Sequence, residues 1–185
     1  MTVAGVFAVS CEVTVDDYAP TRAATAPVAA SPETPLVTCA PPYPSGPPSV
    51  ETVFCADPAA LESAPVIRIV DGDTIHVEID GRDETVRFYG IDTPERGDPR
   101  FAVATERTRE LVASRVVLRP DARERDRYDR LLRYVYTTDG LSIDAVLIAE
   151  GYARAWREDG ALRAPLIALE DLASAYHRGC LWSAR

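Results

Sequence analysis

Asp73, Asp92, Glu95 and Arg87 stand within one short stretch, VIRIVDGDTIHVEIDGRDETVRFYGIDTPE, at 66–95. Three carboxylates brought to one point repel one another. At about 5 Å and an effective dielectric of ~20, each pair costs roughly 3 kcal/mol. A hard divalent cation removes that cost, and oxygen-only ligands select Ca²⁺ or Mg²⁺. An arginine facing such a metal implies a phosphate between them, because a guanidinium forks onto phosphate oxygens. Taken singly, Asp71-Gly72-Asp73-Thr74 reads as a turn and Asp92-Thr93-Pro94-Glu95 as a helix start. Their occurrence together on one short meander is what points to a site.

The elements that must position these groups are strands. Val66, Arg68 and Val70 alternate with Ile67 and Ile69; Ile75, Val77 and Ile79 alternate with His76, Glu78 and Asp80. Val86, Phe88 and Ile91 follow the Asp80-Gly81 break. Period-2 alternation with Gly and Asp at the breaks predicts three antiparallel strands. Antiparallel pairing sets the turn after the first strand beside the turn after the third. That collects Asp73, Asp92 and Glu95 at one end of the sheet, with Arg87 slightly inward. His76 is expected to be exposed.

Further on, Ala104, Thr108, Leu111 and Val112 recur with helical spacing and predict a helix over 101–114, with Arg107 and Arg109 on its outer face. Val116–Leu118 and Leu131–Thr137 read as the fourth and fifth strands. Ser142 caps a second helix that ends at Gly151. Tyr152–Trp156 reads as a short extended piece. Leu166, Leu169, Leu172 and Ala173 mark a last helix, with His177 at its end and Trp182 packing the C-terminus onto the domain.

VDGDT, VRF, IDTPE and DRYDR together resemble the staphylococcal nuclease (thermonuclease) family, over about residues 65–183. The resemblance implies an α+β domain, a five-stranded OB-fold β-barrel with three helices. It also implies a Ca²⁺-dependent nuclease that hydrolyses DNA and RNA with little sequence specificity, leaving 3′-phosphate ends. On the same resemblance Asp73 and Asp92 supply calcium carboxylates and Thr93 its backbone carbonyl. Glu95 positions the attacking water, and Arg87 and Arg130 bind phosphate. Tyr128 would contact a terminal phosphate or stack near a base. The sequence departs from the family at two places. Trp156 and Arg157 stand where a base-stacking tyrosine is usual, and Asp129 stands where glycine is usual. Asp129 is expected either to repel substrate phosphate or to pair with Arg127 or Arg133 and hold its loop. The alternative reading is a non-catalytic OB-fold nucleic-acid-binding module tethered to the cell envelope.

A formal net charge of −9 and the absence of lysine are unusual for a nucleic-acid binder. The balance is uneven: residues 1–60 carry −5, whereas 96–133 carry eleven arginines against seven acids. Attraction for a polyanion must therefore be local. Residues 1–11, MTVAGVFAVSC, read as a truncated signal or lipoprotein signal segment, in which Cys11 would carry a lipid. Residues 12–62 are rich in Pro and Ala and read as a disordered linker, leaving 63–185 as the folded domain. Export from a bacterial cell is expected, extracellular or envelope-attached, with a cytoplasmic location as the alternative and a monomer as the assembly state. Cys39 and Cys55 could close a small loop, and Cys180 is expected to be free or to pair with one of them.

Overall fold

A computed structural model describes residues 55–183. The segments assigned above to a signal and most of the linker, with Cys11 and Cys39, lie outside the described residues.

Five strands close a barrel in the order β1-β2-β3-β6-β5: β1 (Glu62–Ile69), β2 (Thr74–Ile79), β3 (Arg82–Phe88), β5 (Arg115–Arg119) and β6 (Leu131–Tyr136). Closure removes the exposed sheet edges that a five-stranded meander would otherwise carry. The first three strands form the antiparallel meander that their alternation predicts. A separate two-stranded pair joins β4 (Ile91–Asp92) to β7 (Arg154–Ala155). Four helices complete the domain: α1 (Phe101–Leu111), α2 (Ile143–Ala149), α3 (Arg163–Ala175) and the single turn α4 (Gly179–Trp182). The architecture is the α+β OB-fold barrel expected, with α4 as a fourth, one-turn helix.

Ile75, Val77, Val86, Phe88, Val116 and Leu118 fill the barrel and are fully buried. β6 differs from the other strands in being buried at every position. Its inner face lines the barrel, and its outer face lies under α2. Ser142 caps α2 by accepting from the Ala145 amide at 3.2 Å, as the sequence predicts. Ahead of β1, Cys55 bridges to Leu141 and the Ala56 amide donates to the Gly140 carbonyl at 3.0 Å. Cys55 and Cys180 are both disulfide-bonded, so Cys180 is not the free thiol that was one of its expected states.

Several side chains sit elsewhere than periodicity suggests. Arg107 is not on a solvated face: it forks onto Glu150 at 2.6 and 2.7 Å and ties α1 to α2. His76 is 15% exposed and lies between Arg68 and Asp83, whose carboxylate is 2.5 Å from Nδ1. Leu172 keeps the spacing of a core residue but is 42% exposed, because the buried stripe of α3 runs through Leu166, Leu169, Glu170 and Ala173. His177 falls beyond α3 in a left-handed turn (φ 52°).

Asp144 joins three elements. Its Oδ1 accepts from the Gly90 amide at 3.1 Å and its Oδ2 from the Val135 amide at 2.9 Å, which pins the β3–β4 turn to β6 and α2. A Cβ on Gly90 would fall 2.5 Å from Leu166 Cδ1 and 3.0 Å from Asp144 Oδ1, so a larger residue there would displace the side chains that hold this turn. Full burial pushes the Asp144 carboxyl up to about 7, against the pull of the two amides. A carboxyl raised in the folded state contributes most stability below its unfolded value of 3.8 and loses it as pH rises through about 7. The loss is at most about 4 kcal/mol. Asp144→Asn has no such titration but turns an amide toward a backbone N–H, at a cost of roughly 1–3 kcal/mol. Urea unfolding at pH 5 and pH 8 should therefore show wild type well ahead of the variant at pH 5 and much less so at pH 8. A gap that is the same at both values would refute the assignment.

Candidate active site

The acidic turn between β1 and β2 is held from three sides. Thr108 of α1 donates its hydroxyl to the Gly72 carbonyl at 2.7 Å, and the Phe88 amide donates to the Asp73 carbonyl at 2.8 Å. Thr93 donates both its amide (2.9 Å) and its hydroxyl (2.7 Å) to Asp73 Oδ2. Thr93 presses so closely that a Cβ on Gly72 would lie 2.7 Å from its Oγ1. Glycine at 72 is thus what lets the two acidic turns meet.

Arg87 joins those turns. Its Nε lies 3.1 Å from Asp73 Oδ1 and its Nη2 3.1 Å from Asp92 Oδ1. Its Nη1 donates to the carbonyls of Phe88 (2.6 Å) and Ile91 (2.7 Å). The side chain is only 11% exposed, and of its five N–H groups these contacts leave one, on Nη2. Asp73 is buried, whereas the Asp92 side chain is half exposed and Glu95 is exposed.

The carboxylates feel one another. Partial loss of hydration, then the charges of Asp73, Asp71 and Asp92, raise the carboxyl of the exposed Glu95 above its ordinary value. Asp92 is raised by burial and by Asp73, against the pull of Arg87. Asp71 is raised by burial and by Asp73. Asp71 is the member that the sequence reading left out of the site. It opens the same DGD turn, and its Oδ1 accepts from the Asp73 amide at 3.2 Å. Its place in that turn was the available signal. An all-oxygen set whose members raise one another's pKa fits a hard divalent cation, which would relieve the repulsion. In the present side-chain positions no three such groups converge as a finished cage among the described residues. Asp92, Glu95 and backbone oxygen have free donor capacity, whereas Asp73 is engaged on both oxygens and would bind a cation by exchanging one of those contacts for it.

Across a cleft of about 400 Å³ from Arg87 stands the loop 121–130. Arg87, Asp92, Glu95, Tyr128 and Arg130 all line this cleft, so the structure brings together most of the residues singled out by sequence. The parallel pairing of β3 with β6 (Arg87 opposite Leu132) places Arg130, just ahead of β6, near Arg87. Asp126 shapes the loop. Its Oδ1 accepts the Tyr128 and Arg130 amides at 2.9 and 3.0 Å, and its Oδ2 takes Arg130 Nε at 2.7 Å. Arg127 stacks over Tyr128, 4.7 Å from the ring centroid, and Tyr128 is 65% exposed. Asp129 adopts φ +65°, the left-handed region that glycine enters most readily and that Asp tolerates better than most other residues. Its partner is Arg125 at 3.6 Å, neither Arg127 nor Arg133; Arg133 pairs with Glu124.

The far wall of the cleft was not legible in the sequence. Asp159 accepts from the Tyr89 hydroxyl (3.1 Å), the Trp156 indole (2.9 Å) and Arg123 Nη2 (3.0 Å). Trp156, Tyr89 and Arg123 line the cleft. Arg157, the other residue at the family's tyrosine position, turns away to Glu170 at 2.9 Å.

The sequence profile of the staphylococcal nuclease homologue family matches residues 85–184. The chain is 44% identical over 95 residues to endonuclease YncB of Bacillus subtilis, covering 47% of this chain and 44% of that protein. It is 42% identical over 101 residues to the thermonuclease of Staphylococcus intermedius, covering 51% and 60%. An uncharacterized endonuclease of Escherichia coli O157:H7 is 33% identical over 132 residues, covering 71% of this chain and 81% of the relative. The chain belongs to the staphylococcal nuclease homologue family. It spans about half the length of the first two of these relatives.

The raised Glu95 carboxyl carries a stability consequence. A carboxyl whose folded value is raised loses stabilisation as pH climbs above its unfolded value. Removing that charge should therefore help the fold at neutral pH and do little at pH 4. Glu95→Gln is expected to raise Tm at pH 7 without divalent cation by roughly 1–3 °C, the scale of a solvent-screened charge effect in a domain of this size. A lower Tm for the variant at pH 7 would mean that Glu95 is not under repulsion.

Proposed function

We propose that this protein is a calcium-dependent nuclease that hydrolyses phosphodiester bonds of DNA and RNA with little sequence preference and leaves 3′-phosphate ends. The observation that carries this reading is the facing of Arg87 and Arg130 across one cleft that also holds Asp92 and Glu95, in a chain of this family. Asp73, Asp92 and the Thr93 carbonyl would hold the cation. When bound, the cation supplies Lewis acidity and positive charge to the phosphate. The remaining Nη2–H of Arg87 and the guanidinium of Arg130 bind the non-bridging oxygens, whose charge grows as phosphorus gains a fifth oxygen. Glu95 orients the attacking water and accepts its proton; a raised pKa makes it a better base. The water displaces the 5′ oxygen, so phosphate stays on the 3′ side. Little sequence preference is supported by a cleft whose polar groups suit phosphate and whose aromatic wall accepts any base face.

The test is incubation of the full chain with plasmid DNA and with RNA, in Ca²⁺ and in excess chelator. Cleavage in Ca²⁺ that stops in chelator is expected. Undiminished cleavage in chelator would remove the metal from the mechanism, and binding without cleavage would favour the non-catalytic module. Arg87→Ala and Arg130→Ala should each lower kcat by about 10²–10³, the cost of a lost transition-state donor. A loss below tenfold for both, in folded protein, would argue against the phosphate assignment.

An oxidising location is part of the same reading. Disulfides at Cys55 and Cys180 support export, since such bonds persist outside the reducing cytoplasm. Expressed from its own leader in a bacterial host, the protein should be recovered outside the cytoplasm with both thiols blocked to alkylation. Recovery in the cytoplasm with reactive thiols would refute this.

A further inference from the structure

We propose that Arg125 is a positioning residue that sets Arg130 against Arg87, by fastening the tip of the arginine-bearing loop to strand β3. This inference rests on the nuclease reading above. Asp126 gives the loop its internal shape, but all of its hydrogen bonds named above stay inside the loop. Arg125 reaches out of it. Nη1 donates at once to Glu84 Oε2 (3.0 Å) and to the Asp129 carbonyl (2.7 Å), and Nη2 donates to Glu84 Oε1 at 3.1 Å. Nε lies 3.6 Å from the Asp129 carboxylate.

Two features make this more than a surface ion pair. Glu84 is on β3, three residues before Arg87, so the same strand carries the anchor and the first phosphate arginine. The Asp129 carbonyl belongs to the peptide that leads into Arg130, so gripping it fixes the plane from which the second arginine departs. That grip also compensates a conformation that Asp does not favour, since φ at Asp129 is +65°, in the left-handed region. Arg125, Glu84 and Asp129 thus form one device: the non-glycine tip is tolerated because a strand-anchored guanidinium holds its carbonyl. Only a forked side chain spans both oxygens of Glu84 and that carbonyl together.

Steady-state kinetics on DNA in Ca²⁺ test this, with wild type, Arg125→Met, Arg125→Lys and Asp129→Gly. Small displacements of a transition-state donor lower turnover more than binding. Arg125→Met should therefore lose about tenfold in kcat, with KM changed no more than its lost charge requires. Arg125→Lys should restore KM but not kcat. Asp129→Gly added to Arg125→Met should recover only part of kcat, because glycine holds φ +65° without help but does not restore the anchor to β3, and complete recovery would overturn the proposal. In an Arg130→Ala background, Arg125→Met should cost little more, because its effect runs through Arg130. Wild-type-like kcat in Arg125→Met, full rescue by lysine, or an undiminished cost in the Arg130→Ala background would each overturn the proposal alone. Wild-type protein that does not cleave would overturn the nuclease reading and this proposal with it. Glu84→Gln, which keeps Arg125 intact and weakens only its anchor, should show a smaller kcat loss of the same kind. It serves if Arg125→Met fails to fold, and an unchanged kcat in Glu84→Gln would then overturn the proposal.

Discussion

The site depends on one buried guanidinium. Arg87 lies between the two acidic turns, and it takes an ion pair from each while two backbone carbonyls fill its other nitrogen. Removing one partner of a buried ion pair leaves the other uncompensated, which costs far more than the pair is worth. Asp73, Asp92 and Arg87 are therefore interdependent. Thr93 and Thr108 serve this triad by holding the turn that delivers Asp73, and Gly72 by leaving them room. The uncompensated remainder of the charge falls on Asp71, Asp92 and Glu95, whose raised carboxyls report a site held at a cost in stability.

The protein binds its arginines internally. Arg123, Arg125, Arg130 and Arg133 all have carboxylate partners, although they come from the most basic segment of an acidic chain. Such pairs are individually weak at a surface, but around one loop they form a network that restricts its conformations. The cleft itself is lined by Arg87, Arg123, Arg127 and Arg130 against Asp92, Glu95, Asp126 and Glu158. A net charge of −9 leaves any attraction for a polyanion to local groups such as these.

Asp159 orders the opposite wall in the way that Asp126 orders the arginine loop. One carboxylate holds a tyrosine hydroxyl, an indole N–H and a guanidinium, and these contacts keep it below the ordinary carboxylate range. Behind it, the Tyr134 hydroxyl donates to Asp121 and accepts from the Leu162 amide, joining the two loops that flank the cleft. Both walls are thus carried by carboxylates whose hydrogen bonds are saturated, a rigid form of support.

Alternation over 66–91, the apolar runs at 116–118 and 131–137 and the helical spacings placed the barrel strands and three helices, because those signals act between neighbours in the chain; α1 ends at Leu111 and not at 114, and α4 was not foreseen. The DGDT and DTPE turns with Arg87 were legible because their residue types have few uses in combination, whereas Arg130 was singled out by the family resemblance of its loop, since a run of charges by itself reads as a solvated turn. Partner choice was not legible. Arg107 reads as a solvated helix residue and His76 as an exposed strand residue, yet Glu150 and Asp83 claim them. Asp129 finds Arg125, and Trp156 finds Asp159, only through the packing of a loop on β3 and the turn ahead of α3. Periodicity records which way a side chain points from its own backbone, and it carries no record of what another element brings there. That second quantity is set by barrel closure and helix packing, and so it appeared only in the tertiary structure.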